Sequence, residues 1–287
     1  MGINTFRQLY YSCKEKNKSI YEAALDYEAS QGEYSEYQVR LQAKKSLDAM
    51  KEAIKAGLKS TESSPSGMSG DDCDKLQKTK AVSVLGSTAQ KIMTYALATS
   101  EQNLRMGTIV ACPTAGSCGI VPAVLIAFAE DNNINENNQI NALITAGEVG
   151  RLVANKMALA GAVGGCQAEC GVASAMAAAA LTQMRGGSVK QIINAVALAL
   201  KNILGLTCDP VCGLVEIPCV KRNPFLAIHA VTASELAMAD IISKIPIDEV
   251  VDAMEQTGQL MSPLLKESSQ GGLAKTRTAI ALEKNIL

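Results

Sequence analysis

Apolar residues recur every three or four positions through "SIYEAALDYEAS" and "YQVRLQAKKSLDAMKEAIKAGLKS", with Lys and Glu on the opposite faces. That period belongs to an amphipathic helix; a half-buried strand would alternate every second residue. Ser19 with Glu22, and Ser35 with Gln38, stand at capping-box spacing at the heads of these runs. The pattern predicts a peripheral amphipathic helical segment over residues 1–60.

A loop follows in "STESSPSGMSGDD", where Ser, Gly and Pro crowd between Ser60 and Asp72. The pattern then becomes mainly apolar. "KLQKTKAVSVLGSTAQKIMTYALATSEQNL", "IVPAVLIAFAEDN", "INALITAGEVGRLVANKMALAG", "GVASAMAAAALTQM", "SVKQIINAVALALKNIL", "PFLAIHAVTASELAMADIIS" and "IDEVVDAMEQTG" all read as helices. Only "GTIVAC" and "CGLVEIPC" have the β-branched character of strands. Gly-rich loops separate the helices: Cys112–Gly119, Gly161–Gly171, Leu204–Gly213 and Ser268–Thr276. Such loops let backbone amides approach a ligand and form anion-binding concavities. The expected fold is all-α, a compact multi-helix domain with Gly/Cys-rich loops between helices. Residues 61–287 form its core and run on from the N-terminal segment.

Charge and composition narrow the function classes. A formal net charge of −1 over 287 residues, with scattered Lys and Arg and few aromatics, gives no footprint for nucleic acid or an anionic membrane. The Ala-rich run from Gly171 is shorter than the roughly 20 residues of a membrane span and reads as a buried core helix. The N-terminus has no signal-peptide pattern, and its Met-Gly start has Phe6 where a myristoylation motif wants Ser or Thr. A cytoplasmic protein is expected.

The cysteines change the picture. There are nine, an odd number unsuited to a disulfide framework. Cys13 and Cys73 lie away from the other loops and read as small buried hydrophobes. The rest crowd into Gly-rich loops and include two C-x3-C pairs, Cys166/Cys170 and Cys208/Cys212. That spacing suits zinc, and soft thiolates equally suit an iron–sulfur cluster; spacing alone does not choose.

"CPTAGSCGIVPAV", "GGCQAECGVASAMAAA", "LGLTCDPVCGLVEIPCVKRN" and "MSPLLKESSQGGLA" together resemble the α chain of bacterial iron–sulfur L-serine dehydratases, over about Gly67 to Leu273. The "LTCDPVxGLVxxPCxxRN" pattern is the most specific part. The resemblance implies an all-helical catalytic domain, a [4Fe–4S] cluster and conversion of L-serine to pyruvate and ammonia. It also implies Cys166, Cys208 and Cys219 as cluster ligands, and leaves Cys112, Cys118, Cys170 and Cys212 without that role. Three thiolates leave one iron free to act as a Lewis acid on the substrate hydroxyl. Removal of the Cα proton and loss of hydroxide then give aminoacrylate, which tautomerises and hydrolyses.

A substrate carboxylate needs donors. Thr114, Gly116 and Ser117 supply hydroxyls and open amides ahead of a helix N-terminus, although Ala115 stands where relatives often carry Asn. Asn223 is a further substrate-binding candidate, and Lys156 either balances cluster charge or reaches the surface. The base is unassigned. The one histidine, His229, reads as structural. The family's important histidines belong to a β region not found here, so a β subunit is the expected partner, completing the pocket for L-serine. Single-chain relatives can also bring a C-terminal cysteine back to the site, whereas this sequence ends "EKNIL". An iron–sulfur L-cysteine desulfidase and a non-enzymatic metal-binding protein are the alternatives.

Overall fold

Both capping boxes begin helices. Glu22 accepts the Ser19 amide at 2.8 Å, and Gln38 accepts that of Ser35 at 2.8 Å. A third box that the sequence reading passed over, Ser188 with Gln191, does the same further on. The computed structural model describes residues 3–286, so the Met-Gly start lies outside it. In chain order the helices are α1 (Phe6–Lys16), α2 (Ile20–Gln31), α3 (Glu36–Lys59), α4 (Asp72–Lys78), α5 (Ser87–Leu104), α6 (Ile120–Asp131) and α7 (Glu136–Ala154). They continue with α8 (Gly161–Gly164), α9 (Val172–Met184), α10 (Val189–Lys201), α11 (Cys219–Met238), α12 (Ile247–Leu260) and α13 (Arg277–Ile286). No strand occurs among the described residues, and the fold is all-α.

Alanine sets the centre. Helix α9 is buried from Val172 to Thr182, and α6, α7, α10 and α11 pack around it. Its small side chains let neighbouring axes approach closely, which is why an apolar run of this composition sits inside a helix bundle. No helix among the described residues is long and apolar enough to cross a membrane. The amphipathic faces of α1 to α3 bury Phe6, Leu9, Ile20, Leu47, Met50 and Ile54 in the same apolar cluster as α6, α7 and α9 to α12. The head of α1 is held by the head of α12: the amides of Phe6 and Arg7 donate to the two carboxylate oxygens of Asp248, each at 3.0 Å.

The structure corrects several expectations. "GTIVAC" and "CGLVEIPC" are not strands, because no neighbouring segment offers a ladder to either. Among the described residues the only bridges are the isolated pairs Ser63–Gly70 and Cys208–Lys266. The run read as one helix from Lys75 to Leu104 breaks between α4 and α5. There Val82 and Val84 face solvent with nothing to bury them, and Gly86 has a left-handed φ of 84°. The Gly161–Gly171 segment is not a plain loop; most of it is helical. Helix α11 starts five residues before Pro224, at Cys219, so this thiol sits on a first helical turn.

Candidate functional site

Cys166 is positioned by a deliberate irregularity. Gly165, with φ 77°, ends α8, and Cys166 then opens a π-helical turn, Gln167–Gly171, that runs into α9. A π turn is wider than an α turn and re-aims its side chains. Here the ligating atoms of Cys166, Glu169 and Cys170 fall within 4.8 Å of one another, all three residues buried. Gln167 fixes the turn from behind. Its side-chain nitrogen donates to the Met254 carbonyl at 2.9 Å, its oxygen accepts the Gly205 amide at 2.9 Å, and its backbone amide donates to Leu206 at 3.0 Å. The Cys166 turn is thereby joined to the strand of chain leading into Cys208.

Cys208 and Cys219 are joined by Arg222. One turn beyond Cys219, its guanidinium donates to the Thr207 carbonyl at 2.8 Å and to Asp209 Oδ1 at 2.8 Å, on either side of Cys208. The other Asp209 oxygen accepts the Leu273 amide at 2.8 Å. Cys208 itself bonds through its backbone to Leu265 and Glu267 at 2.9 and 2.7 Å. Glu216, in the connecting loop, is buried and accepts the hydroxyls of Ser64 and Ser66, each at 2.8 Å. The polar loop read at Ser60–Asp72 is therefore fastened to the site's own loop.

The thiols form one electrostatic group. The Cys166 and Cys170 sulfurs lie 3.4 Å apart. The hydrogen-bonding thiols of Cys170 and Cys208, with Arg222 nearby, hold Cys166 far below the usual thiol range. The thiols of Cys170 and Cys208 are raised, first by that hydrogen-bonded neighbour and then by burial. Burial, with the charge of Cys166 adding to it, pushes Cys219 up to about 12.

Above them lies the Cys112–Gly119 loop. The Thr114 and Ser117 hydroxyls are 3.1 Å apart, and Ser117 is fully buried. Asn223 braces the loop onto α11: its Oδ1 accepts the Gly119 amide at 2.9 Å, and its Nδ2 donates to the carbonyls of Gly116 and Cys219 at 2.9 and 3.0 Å. Gly116 is required by close approach, since a Cβ there would lie 2.4 Å from Glu169 Oε1. A Cβ on Gly161 would lie 3.0 Å from the Cys208 sulfur and 3.3 Å from Glu169 Oε2. Burial, then the Cys166 thiolate, push the Glu169 carboxyl up to about 7, against the Thr114 hydroxyl and Gly161 amide that stabilise its charge.

Thus Cys166, Cys208 and Cys219 are drawn into one electrostatic group. Thr114, Gly116, Ser117 and Asn223 belong to the adjoining loop and its brace. Cys112 and Cys118 are buried thiols, each raised to about 12 by burial, while Cys212 sits in a separate 3-10 turn with φ 57°. Lys156 does not reach the thiols; it pairs with Asp252 on α12. His229 bonds through Nδ1 to Ser174 at 2.8 Å, and Ser174 donates to the Leu226 carbonyl at 2.9 Å, so the imidazole Nδ1 carries the hydrogen. Sequence reading missed Glu169, Gln167 and Arg222. Their one signal was position, inside "CQAEC" and "PCVKRN", because polar residues within ligand loops are seldom idle.

The donor chemistry fits an iron–sulfur cluster: buried soft thiols, with an arginine offsetting negative charge. The family described as Serine dehydratase alpha chain matches residues 15–274. The chain is 45% identical over 282 residues to the probable L-serine dehydratase alpha chain of Bacillus subtilis (strain 168), a match covering 98% of this chain and 94% of the relative. It is 38% identical over 287 residues to the L-serine dehydratase alpha chain of Peptoniphilus asaccharolyticus, covering 99% and 98%. With L-serine dehydratase TdcG of Escherichia coli (strain K12) it shares 44% identity over 182 residues, covering 63% of this chain and 40% of that protein. Near-complete similarity of this kind, over a chain that gathers its specific cysteine motif at one place, shows that the protein belongs to the serine dehydratase alpha chain family.

Proposed function

We propose that this chain is the catalytic α chain of an L-serine dehydratase, eliminating water from L-serine to give pyruvate and ammonia. The observation that carries the reading is the gathering of Cys166, Cys208 and Cys219 beside the Thr114–Ser117 loop, held by Gln167, Arg222 and Asn223. Cys166, Cys208 and Cys219 would hold a [4Fe–4S] cluster, which when bound supplies Lewis acidity for the departing β-hydroxyl.

The chain's own groups supply the rest. The amides of the 115–117 segment bind the substrate carboxylate, and the N-terminal end of α6 adds its positive potential. Ser117 and Asn223 keep that loop in shape. Arg222 limits the negative charge around the thiolates, and burial of the cysteines keeps bulk water from them. A group that takes the Cα proton has the work of a general base, worth on the order of 10²–10⁴-fold. His229 is engaged by Ser174, so we assign the base to a β subunit that docks over the pocket. The alpha-chain names of the Bacillus and Peptoniphilus relatives support such a partner, as does TdcG, whose length extends well beyond the matched part.

The test is anaerobic absorption and EPR spectroscopy of the reconstituted chain, with and without L-serine. The reading expects four irons and four sulfides per chain and a signal perturbed by serine. A second reading, a single metal ion on Cys166, Glu169 and Cys170, is favoured by their closeness within 4.8 Å. Zinc without sulfide in elemental analysis would establish it and remove the first.

A further inference from the structure

Five acidic residues are buried among the described residues, and four have partners that account for them. Glu101 pairs with Arg105 at 3.2 Å, Glu148 with Arg151 at 2.7 Å and Asp209 with Arg222 at 2.8 Å. Glu216 accepts two serine hydroxyls. Glu169 is the fifth. It is 8% exposed and has no ion pair. Its two oxygens lie against the backbone at Gly116 and Gly161, and it stands beside the sulfurs of Cys166 and Cys170. Arg222, the cation of the Cys208 loop, is engaged by Asp209 and the Thr207 carbonyl. A buried carboxylate with no cation in reach lacks the partner that a positively charged ligand would supply.

Position says which ligand. One carboxylate oxygen lies under Gly116, in the loop read as the carboxylate site; the other lies opposite Gly161 and Cys208. An α-amino acid carries its carboxylate and its ammonium on one carbon, so groups that bind the two must be adjacent, as the backbone at Gly116 and the Glu169 carboxylate are. The β-carbon of such a molecule then faces the thiols. Resting on the serine dehydratase reading above, we propose that Glu169 holds the α-ammonium of the substrate and so restricts the pocket to amino acids, rejecting hydroxy acids that lack the amine.

The test uses the cluster-loaded chain with its β partner, wild type and Glu169→Gln. Two ligands are compared: L-serine, and 3-hydroxypropanoate, which keeps the carboxylate and β-hydroxyl but lacks the ammonium. A charge-assisted hydrogen bond to the ammonium is worth about 10- to 100-fold in affinity. Glu169→Gln is therefore expected to raise KM for L-serine by about that factor while the inhibition constant of 3-hydroxypropanoate stays unchanged or falls, with iron and sulfide content as in wild type. Equal losses for both ligands, no loss for either, or depletion of iron would overturn the assignment. If Glu169→Gln does not accumulate as folded protein, Glu169→Asp withdraws the same carboxylate by one methylene and must show the same divergence between the two ligands; parallel changes again overturn it. A wild-type complex with no serine turnover would instead sink the dehydratase reading itself, before any variant is compared.

Discussion

Arg222 shows how one side chain can decide a site's geometry. It spans from the first turn of α11 to both neighbours of Cys208, and its partner Asp209 is buried. Replacing it by methionine leaves that carboxylate without its cation and frees the Cys208 loop. Breaking a buried pair from one side costs about 3–5 kcal/mol. Arg222→Met is therefore expected to lower the urea midpoint clearly and to reduce iron and sulfide per chain after reconstitution; unchanged iron content would mean that the clamp does not set the thiol spacing. The sequence displayed Arg222 and Asp209 inside its most specific motif but not their pairing, since the two are separated along the chain and meet only when α11 docks on the loop.

Helices α9 and α11 are the elements that carry the site, and their contact includes a titratable group. His229 on α11 is bonded to Ser174 on α9, and burial holds its imidazole below the ordinary value of 6.5. The unfolded chain thus takes up a proton before the folded one does, so stability rises with pH in this window. Stability contributed by the neutral imidazole is complete above about pH 6.5 and declines as the pH falls below it. His229→Gln is expected to lose less stability than wild type between pH 7 and pH 5.5, read from urea midpoints at the two values; parallel losses would show that this histidine stays neutral or stays protonated in both states. The helical nature of both elements was legible from their apolar spacing. The π turn ahead of α9 was not, because Gly-rich sequence allows a loop or a helical distortion equally, and packing of Gln167 against Met254 and Gly205 selects the latter.

Across the molecule, the N-terminal helices and the bundle around α9 share one apolar cluster, and specific polar links add to it, among them Asp248 to α1 and Glu216 to the Ser64–Ser66 loop. The thiol group is thus a product of the assembled chain. Alone, this chain is expected to take up a cluster yet turn over L-serine far more slowly than when mixed with a β chain, by the 10²–10⁴-fold typical of a missing general base. Pyruvate formation by the reconstituted chain before and after adding the partner measures this; equal rates would locate the base within the chain described here.

The sequence by itself determined the helical class, the capped starts of α2 and α3, the buried character of the Ala-rich helix and the cysteines worth weighing. These follow from periodicity, local hydrogen bonding and composition, which act over a few residues. Only the tertiary structure decided that "GTIVAC" and "CGLVEIPC" have no sheet to join, that Asn223 is spent on bracing a loop, and that Glu169 stands among the thiols without a cation. Those outcomes depend on what a residue meets from distant parts of the chain, and neither spacing nor propensity encodes which partner will already be taken.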